Sequence, residues 1–114
     1  MQLDYHDTAN VRTITVHEDR VDAAVAITFK DKMRDLCEDG PDRVILDLSQ
    51  VMFIDSSGLG AVVASMKQAS GKALELAGLS PTVLKVFRLT RMDSVFVIHE
   101  SAAAALGGGL ANAS

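Results

Sequence analysis

The seven residues Arg43–Ser49, RVILDLS, set the tightest limit on what this chain can become. Val, Ile and Leu stand side by side there instead of alternating with polar residues, the pattern of a strand covered on both faces. Such a strand belongs in a parallel sheet, and its flanks read as the helices that would pack on it. Upstream, Val25, Phe29, Met33 and Leu36 recur at spacings of four, four and three, with charged Lys30, Lys32, Arg34 and Asp35 between them. This predicts an amphipathic helix beginning at Asp22. It ends at EDGPD, residues 38–42, whose Gly-Pro pair is helix-stopping punctuation. Downstream, Leu59, Val62, Val63 and Met66 form the buried stripe of a second helix.

The same alternation runs through the rest of the chain. Residues 11–17, VRTITVH, are rich in β-branched side chains and alternate as a strand with one buried face. Residues 73–77, ALELA, form another compact strand, and LSPTVLKVF then sets Ser80 as an N-cap with Pro81 at the first helical position. Residues 94–99, SVFVIH, read as a last strand and 100–106, ESAAAAL, as a helical turn or two. GGGLANAS, residues 107–114, has nothing to pack and is expected as a flexible tail behind a domain of residues 1–106. Strand then helix, three times over, predicts a single small α/β domain with right-handed crossovers. Its functional crevice belongs beyond the carboxyl ends of the parallel strands.

Composition narrows the function classes. The 114 residues are 48% hydrophobic, enough for one real core. The net charge of −4, with basic residues scattered and no Lys/Arg cluster, argues against direct nucleic-acid binding and against anionic lipid. Apolar runs fall far short of the roughly 20 residues of a spanning helix, so no membrane insertion is expected. Cys37 is the only cysteine and no signal-peptide pattern opens the chain, which together predict a cytoplasmic protein.

At the predicted crevice lies FIDSSGLG, residues 53–60, between the central strand and the second helix. Two serines at a helix N-terminus can accept hydrogen bonds from first-turn amides, and one cap suffices. A second hydroxyl, with Asp55 before it and Gly58 and Gly60 behind, gives more polar capacity than capping needs. From this chemistry alone, a structural loop and a functional one stand about equal. A hydrolase would use Ser56 with His17 or His99 as base, but FIDSSGLG is not the G-x-S-x-G elbow. A phosphate-cradling loop would bring a Lys after its glycines, where this chain has Ala61 and Val62. The histidines and Cys37 show no metal-ligand spacing. No catalytic residue, metal or cofactor is expected, and Cys37 reads as a small hydrophobe.

The segments RVDAAVAITFKDKM (20–33), RVILDLSQVMFIDSSGLGAVV (43–63), LELAGLSPTVLKVFRLT (74–90) and FVIHESAAAAL (96–106) run in one register. On them the chain resembles the anti-sigma factor antagonists, stand-alone members of the STAS domain family, a domain also found on sulfate transporters. The strand ending DLS followed by IDSSGLG is the specific part. The resemblance implies a STAS-like domain with a mixed four- to five-stranded sheet against amphipathic helices. It makes Ser56 the phosphoacceptor and Ser57 the neighbouring cap. The partner-facing residues it implies are Asp22, Asp55, Ser56, Ser57, Gly58 and Leu59. Its partners are an anti-sigma factor that is also a serine kinase, bound when Ser56 is unmodified and released on phosphorylation, and a serine phosphatase.

Three points qualify the match. Asp22 keeps the family's acid at a helix start, where plain N-capping competes with partner contact. Val25 replaces a residue often polar in relatives. Arg91 stands where relatives often carry a glycine, so it must either adopt the left-handed conformation or close its helix differently. A reading from another class stays open: a non-enzymatic STAS adaptor subunit of a lipid-transporting ABC complex, or of a sensory or motility and biofilm regulatory complex.

Overall fold

Arg43–Asp47 becomes the middle strand of a mixed five-stranded sheet. The computed structural model describes residues 1–68 and 73–113. Along the chain run β1 (Leu3–Thr8), β2 (Val11–Val16), β3 (Arg20–Val21), α1 (Ala26–Glu38), β4 (Arg43–Asp47) and β5 (Phe53–Ile54). They are followed by α2 (Ser56–Gln68), β6 (Ala73–Ala77), α3 (Pro81–Leu89), a 3-10 turn (Met92–Ser94), β7 (Ile98–His99) and α4 (Ala102–Ala113). The sheet order is β1-β2-β4-β6-β7, with β1 antiparallel to β2 and every other pair parallel. β3 and β5 form a separate parallel pair.

Val44, Ile45 and Leu46 of β4 are all fully buried, as consecutive apolar residues of an interior strand must be. Val44 and Leu46 share one side with Ile14, Val16, Leu74 and Leu76, and α1, α2 and α3 close over them with Phe29, Val62 and Phe87. Ile45 points to the other side and packs with Ala77 against Ala105 of α4. Ser80 caps α3 as its sequence predicts, its Oγ accepting from the Val83 N–H at 3.3 Å ahead of Pro81.

Several boundaries differ from the sequence reading. α1 begins at Ala26, not Asp22, because Asp22 is engaged in a turn: its carbonyl accepts from the Val25 N–H at 3.1 Å and its Oδ1 from the Ala24 N–H at 3.1 Å. Of SVFVIH only Ile98–His99 pairs as strand. Phe96 is drawn inward, its ring edge-on to Phe87 at 6.0 Å, while Met92–Ser94 coil into the 3-10 turn. The stretch from Gly107 expected as a tail is helical through Ala113. Once Ala102, Ala105 and Leu106 dock on the sheet, each further residue adds a backbone bond to an existing helix. Arg91 takes the first of its two options, adopting φ 62° just after α3.

Candidate functional site

The two-residue strands β3 and β5 decide where the site forms. Arg20 lies opposite Phe53 and Val21 opposite Ile54, which brings the entry to α1 beside the entry to α2. The Met52 and Phe53 N–H groups both donate to the Asp19 carbonyl, at 2.8 and 3.1 Å. The Ala23 N–H donates to Asp55 Oδ2 at 3.2 Å, tying the Asp22–Val25 turn to the start of α2.

Asp55, not Ser57, caps α2. Its Oδ1 accepts from the Gly58 N–H at 2.8 Å and its carbonyl accepts the first helical bond, from the Leu59 N–H, at 2.8 Å. A capping side chain must stand immediately before the first helical residue to reach the amide three positions on. Since α2 opens at Ser56, both serines lie inside its first turn. Their side chains are exposed, and among the described residues neither hydroxyl makes a hydrogen bond. The expectation of a capping Ser57 is therefore corrected. So is that of Asp22 as a helix cap, because the N-cap of α1 is Val25, without a side-chain bond.

The other expected site residues divide by burial. Leu59 is 8% exposed and belongs to the core, so it offers a partner no side chain. Gly58 is buried where α2 meets β3: a Cβ there would lie 1.9 Å from the Val21 carbonyl oxygen and 3.0 Å from Ile54 Cγ1. Its smallness sets the approach of the helix to the strand. The surface that remains around Ser56 carries Asp22, Asp55 and Ser57. Exposed Met52 and Phe53 precede it, and exposed Ile27 lies in the first turn of α1. Arg20 was not singled out in the sequence. Its guanidinium lies 4.3 Å from the centroid of the Phe53 ring and 3.5 Å from Asp22 Oδ2.

A second polar group, invisible in sequence, lies on the α4 side of the sheet. Arg43 donates from Nε and Nη2 to the two carboxylate oxygens of Glu75 at 2.7 and 2.8 Å, and from Nη2 to the Ala105 carbonyl at 3.3 Å. His99 Nε2 stands 2.6 Å from Glu75 Oε1. The Arg43 guanidinium, and after it His99, holds the Glu75 carboxyl below the usual carboxylate range against the opposing pull of burial. His17 is bonded to Asp4 Oδ2 at 2.8 Å and approaches Gln50 Oε1 at 3.3 Å. Among the described residues neither of these two histidines, weighed above as bases, hydrogen-bonds Ser56. Nor does any group of three or more His, Cys, Asp and Glu there suit a metal ion. No helix among them is long and apolar enough to cross a membrane.

A STAS domain family model matches residues 2–105, and the chain belongs to that family. Relatives within it include anti-sigma factor antagonists. The chain is 31% identical over 80 residues to the anti-sigma-B factor antagonist of Bacillus subtilis, covering 68% of this chain and 72% of that protein. An anti-sigma factor antagonist from Mycobacterium paratuberculosis superposes with a TM-score of 0.83 at 21% identity, over 94% of this chain and 92% of that one. The antagonist SpoIIAA in its unphosphorylated form gives a TM-score of 0.76 at 20% identity, over 96% and 97% of the two chains. The phosphorylated form of the Bacillus protein gives 0.67 at 19%, over 92% and 96%. These structural likenesses establish the fold. The chain is thus an anti-sigma factor antagonist by family, on a STAS scaffold.

Proposed function

We propose that this domain is a phosphorylation-controlled partner switch. In its unmodified form it binds an anti-sigma factor that is also a serine kinase, phosphorylation of Ser56 releases that partner, and a serine phosphatase restores binding. The domain acts by binding and performs no catalysis of its own. One observation carries the reading: the Ser56 hydroxyl is exposed and unengaged in the first turn of α2, because Asp55 has taken the cap. Ser57 shares that exposure, so the choice of Ser56 rests on its place directly after Asp55 in the family motif.

The physical chemistry of the site agrees with a charge switch. A phosphate adds about −1.5 to −2 charge, and a helix N-terminus accepts an anion without unfolding. SpoIIAA has this fold in both its unphosphorylated and phosphorylated forms. Exposed Ile27, Met52 and Phe53 supply the apolar centre of a docking surface with a polar rim. A dianion placed there beside Asp55 costs several kcal/mol when buried against an unsuited partner. Since about 2.8 kcal/mol is a hundredfold in affinity, the modification suffices to decide binding.

The test pairs mass spectrometry with titration calorimetry, using a serine-kinase anti-sigma factor from the same genome. Phosphate should map to Ser56. Ser56→Ala should keep its affinity and Ser56→Asp should lose part of it, since aspartate carries a single charge. Phosphate on Ser57 alone overturns the assignment. Equal affinities for wild type and both variants would sink the switch and put the adaptor reading first.

A further inference from the structure

Beyond the carboxyl ends of β6 and β7, α3 and the segment around β7 enclose a cleft of about 520 Å³. That volume lies within the roughly 300–1,000 Å³ of small-molecule sites, at the end of a parallel sheet where ligands bind. Leu79, Leu84 and Ile98 give it an apolar floor. Arg88, from the last turn of α3, and Asp93 and Glu100 give it charge. Among the described residues no hydrogen bond or ion pair engages any of these three side chains.

Solvated charges on a surface mean little singly, and what sets this cleft apart is His99 on its wall. Two guanidinium nitrogens of Arg43 hold Glu75 as a carboxylate that only accepts, so His99 donates to it from Nε2. Nδ1 is the ring nitrogen without a hydrogen-bond partner among the described residues. The backbone of His99 is held as well, its carbonyl accepting from the Gly78 N–H at 3.1 Å. An imidazole oriented through one nitrogen by a fixed carboxylate, with the other left over, is how proteins prepare a histidine for a ligand.

We propose that this cleft binds a small zwitterion with an apolar body, the chemistry of an apolar amino acid. Its carboxylate pairs with Arg88, its ammonium donates to Asp93 and Glu100 beside His99, and its side chain lies on Leu79, Leu84 and Ile98. The charge inventory selects this class: a simple anion would meet two carboxylates for one cation, and a simple cation would stand beside an unpaired Arg88. The site is independent of Ser56 and of the reading given to it.

The probe is free L-phenylalanine, titrated into the uniformly 15N-labelled protein and followed by amide chemical shifts. Saturable shifts should centre on Leu79, Leu84, Arg88, Asp93 and residues 98–100. Arg88→Ala, a surface change, should weaken binding about tenfold or more, the value of a hydrogen bond to a charged group. N-acetyl-L-phenylalanine, without the ammonium, and the methyl ester, without the carboxylate, should both bind more weakly. An absence of saturable shifts, shifts elsewhere, or unchanged binding in Arg88→Ala overturns the site. Equal binding of the blocked compounds overturns the ligand class.

Discussion

Asp55→Ala should cost this domain far more stability than the loss of either serine that follows it. The substitution removes two acceptors at once: Oδ1, 2.8 Å from the Gly58 N–H, and Oδ2, 3.2 Å from the Ala23 N–H. Loss of an N-cap costs about 0.5–2 kcal/mol. Gly58 is buried against Val21, so water replaces its lost partner poorly, and a stranded amide adds to the penalty. We expect about 2–3 kcal/mol in total. Ser57→Ala should stay within about 0.5 kcal/mol of wild type, because an exposed hydroxyl without a partner is exchanged for a better helix former. Asp55→Asn should recover the cap but not the Ala23 bond, since its amide oxygen can accept from Gly58 while its NH2 cannot accept from Ala23. Urea unfolding followed by circular dichroism reads this directly. With a slope of about 2 kcal/mol per molar, Asp55→Ala moves the midpoint down by about 1 M or slightly more. A midpoint loss in Ser57→Ala equal to that in Asp55→Ala would refute the assignment of the cap.

Three further outcomes follow from the geometry. Gly58→Ala places a methyl 1.9 Å from the Val21 carbonyl oxygen, so the start of α2 must move off β3. The overpacking cost of about 1–3 kcal/mol should outweigh the roughly 1 kcal/mol gained in helix propensity, and an unchanged urea midpoint would contradict it. Arg91→Gly should raise the melting temperature: relieving φ 62° is worth about 1–2 kcal/mol, offset by about 0.5–1 for the freer unfolded glycine. A lower melting temperature would count against strain at this turn. Glu75, held below its ordinary 4.5 chiefly by Arg43, stays ionised in the folded protein where the unfolded chain binds a proton. Its contribution is therefore fully present above about pH 4.5 and is lost as pH falls through the lowered value, so Glu75→Gln should flatten the acid limb of a stability–pH curve below pH 4.5.

What was legible in the sequence was what local chemistry decides. RVILDLS had to be an interior strand because Val44, Ile45 and Leu46 run together with no polar residue between them, and Ser80-Pro81 had to open a helix because both residues favour the same step. β1 was missed because LDYHDT is an exposed edge with its charges turned to water, so it lacks a hydrophobic period. β3 and β5 are two residues each and exist only through each other. The cap was misplaced for a related reason: Asp55, Ser56 and Ser57 are all good capping residues, and only the position of the first helical residue separates them. The Arg43–Glu75–His99 group joins three strands through parallel register, in which Ile45 faces Glu75 and Ala77 faces His99, and no spacing along one chain could signal it.

Capping by Asp55 has a consequence for the proposed switch. A serine that capped α2 would give up its hydrogen bond when modified, and phosphorylation would then act on the helix as well as on the partner. Here the helix is closed by the residue before, so modification at Ser56 leaves the Asp55–Gly58 bond in place and alters charge alone. The amides at the front of α2 that lack helical partners remain available to a phosphate oxygen, while the Asp55 carboxylate opposes it from alongside. Under that proposal, the modified domain would be held folded by one feature of the site and set against its partner by another. Asp55 would contribute to both, and in the proposed switch an aspartate there would serve better than an asparagine, which keeps the cap but lacks the charge.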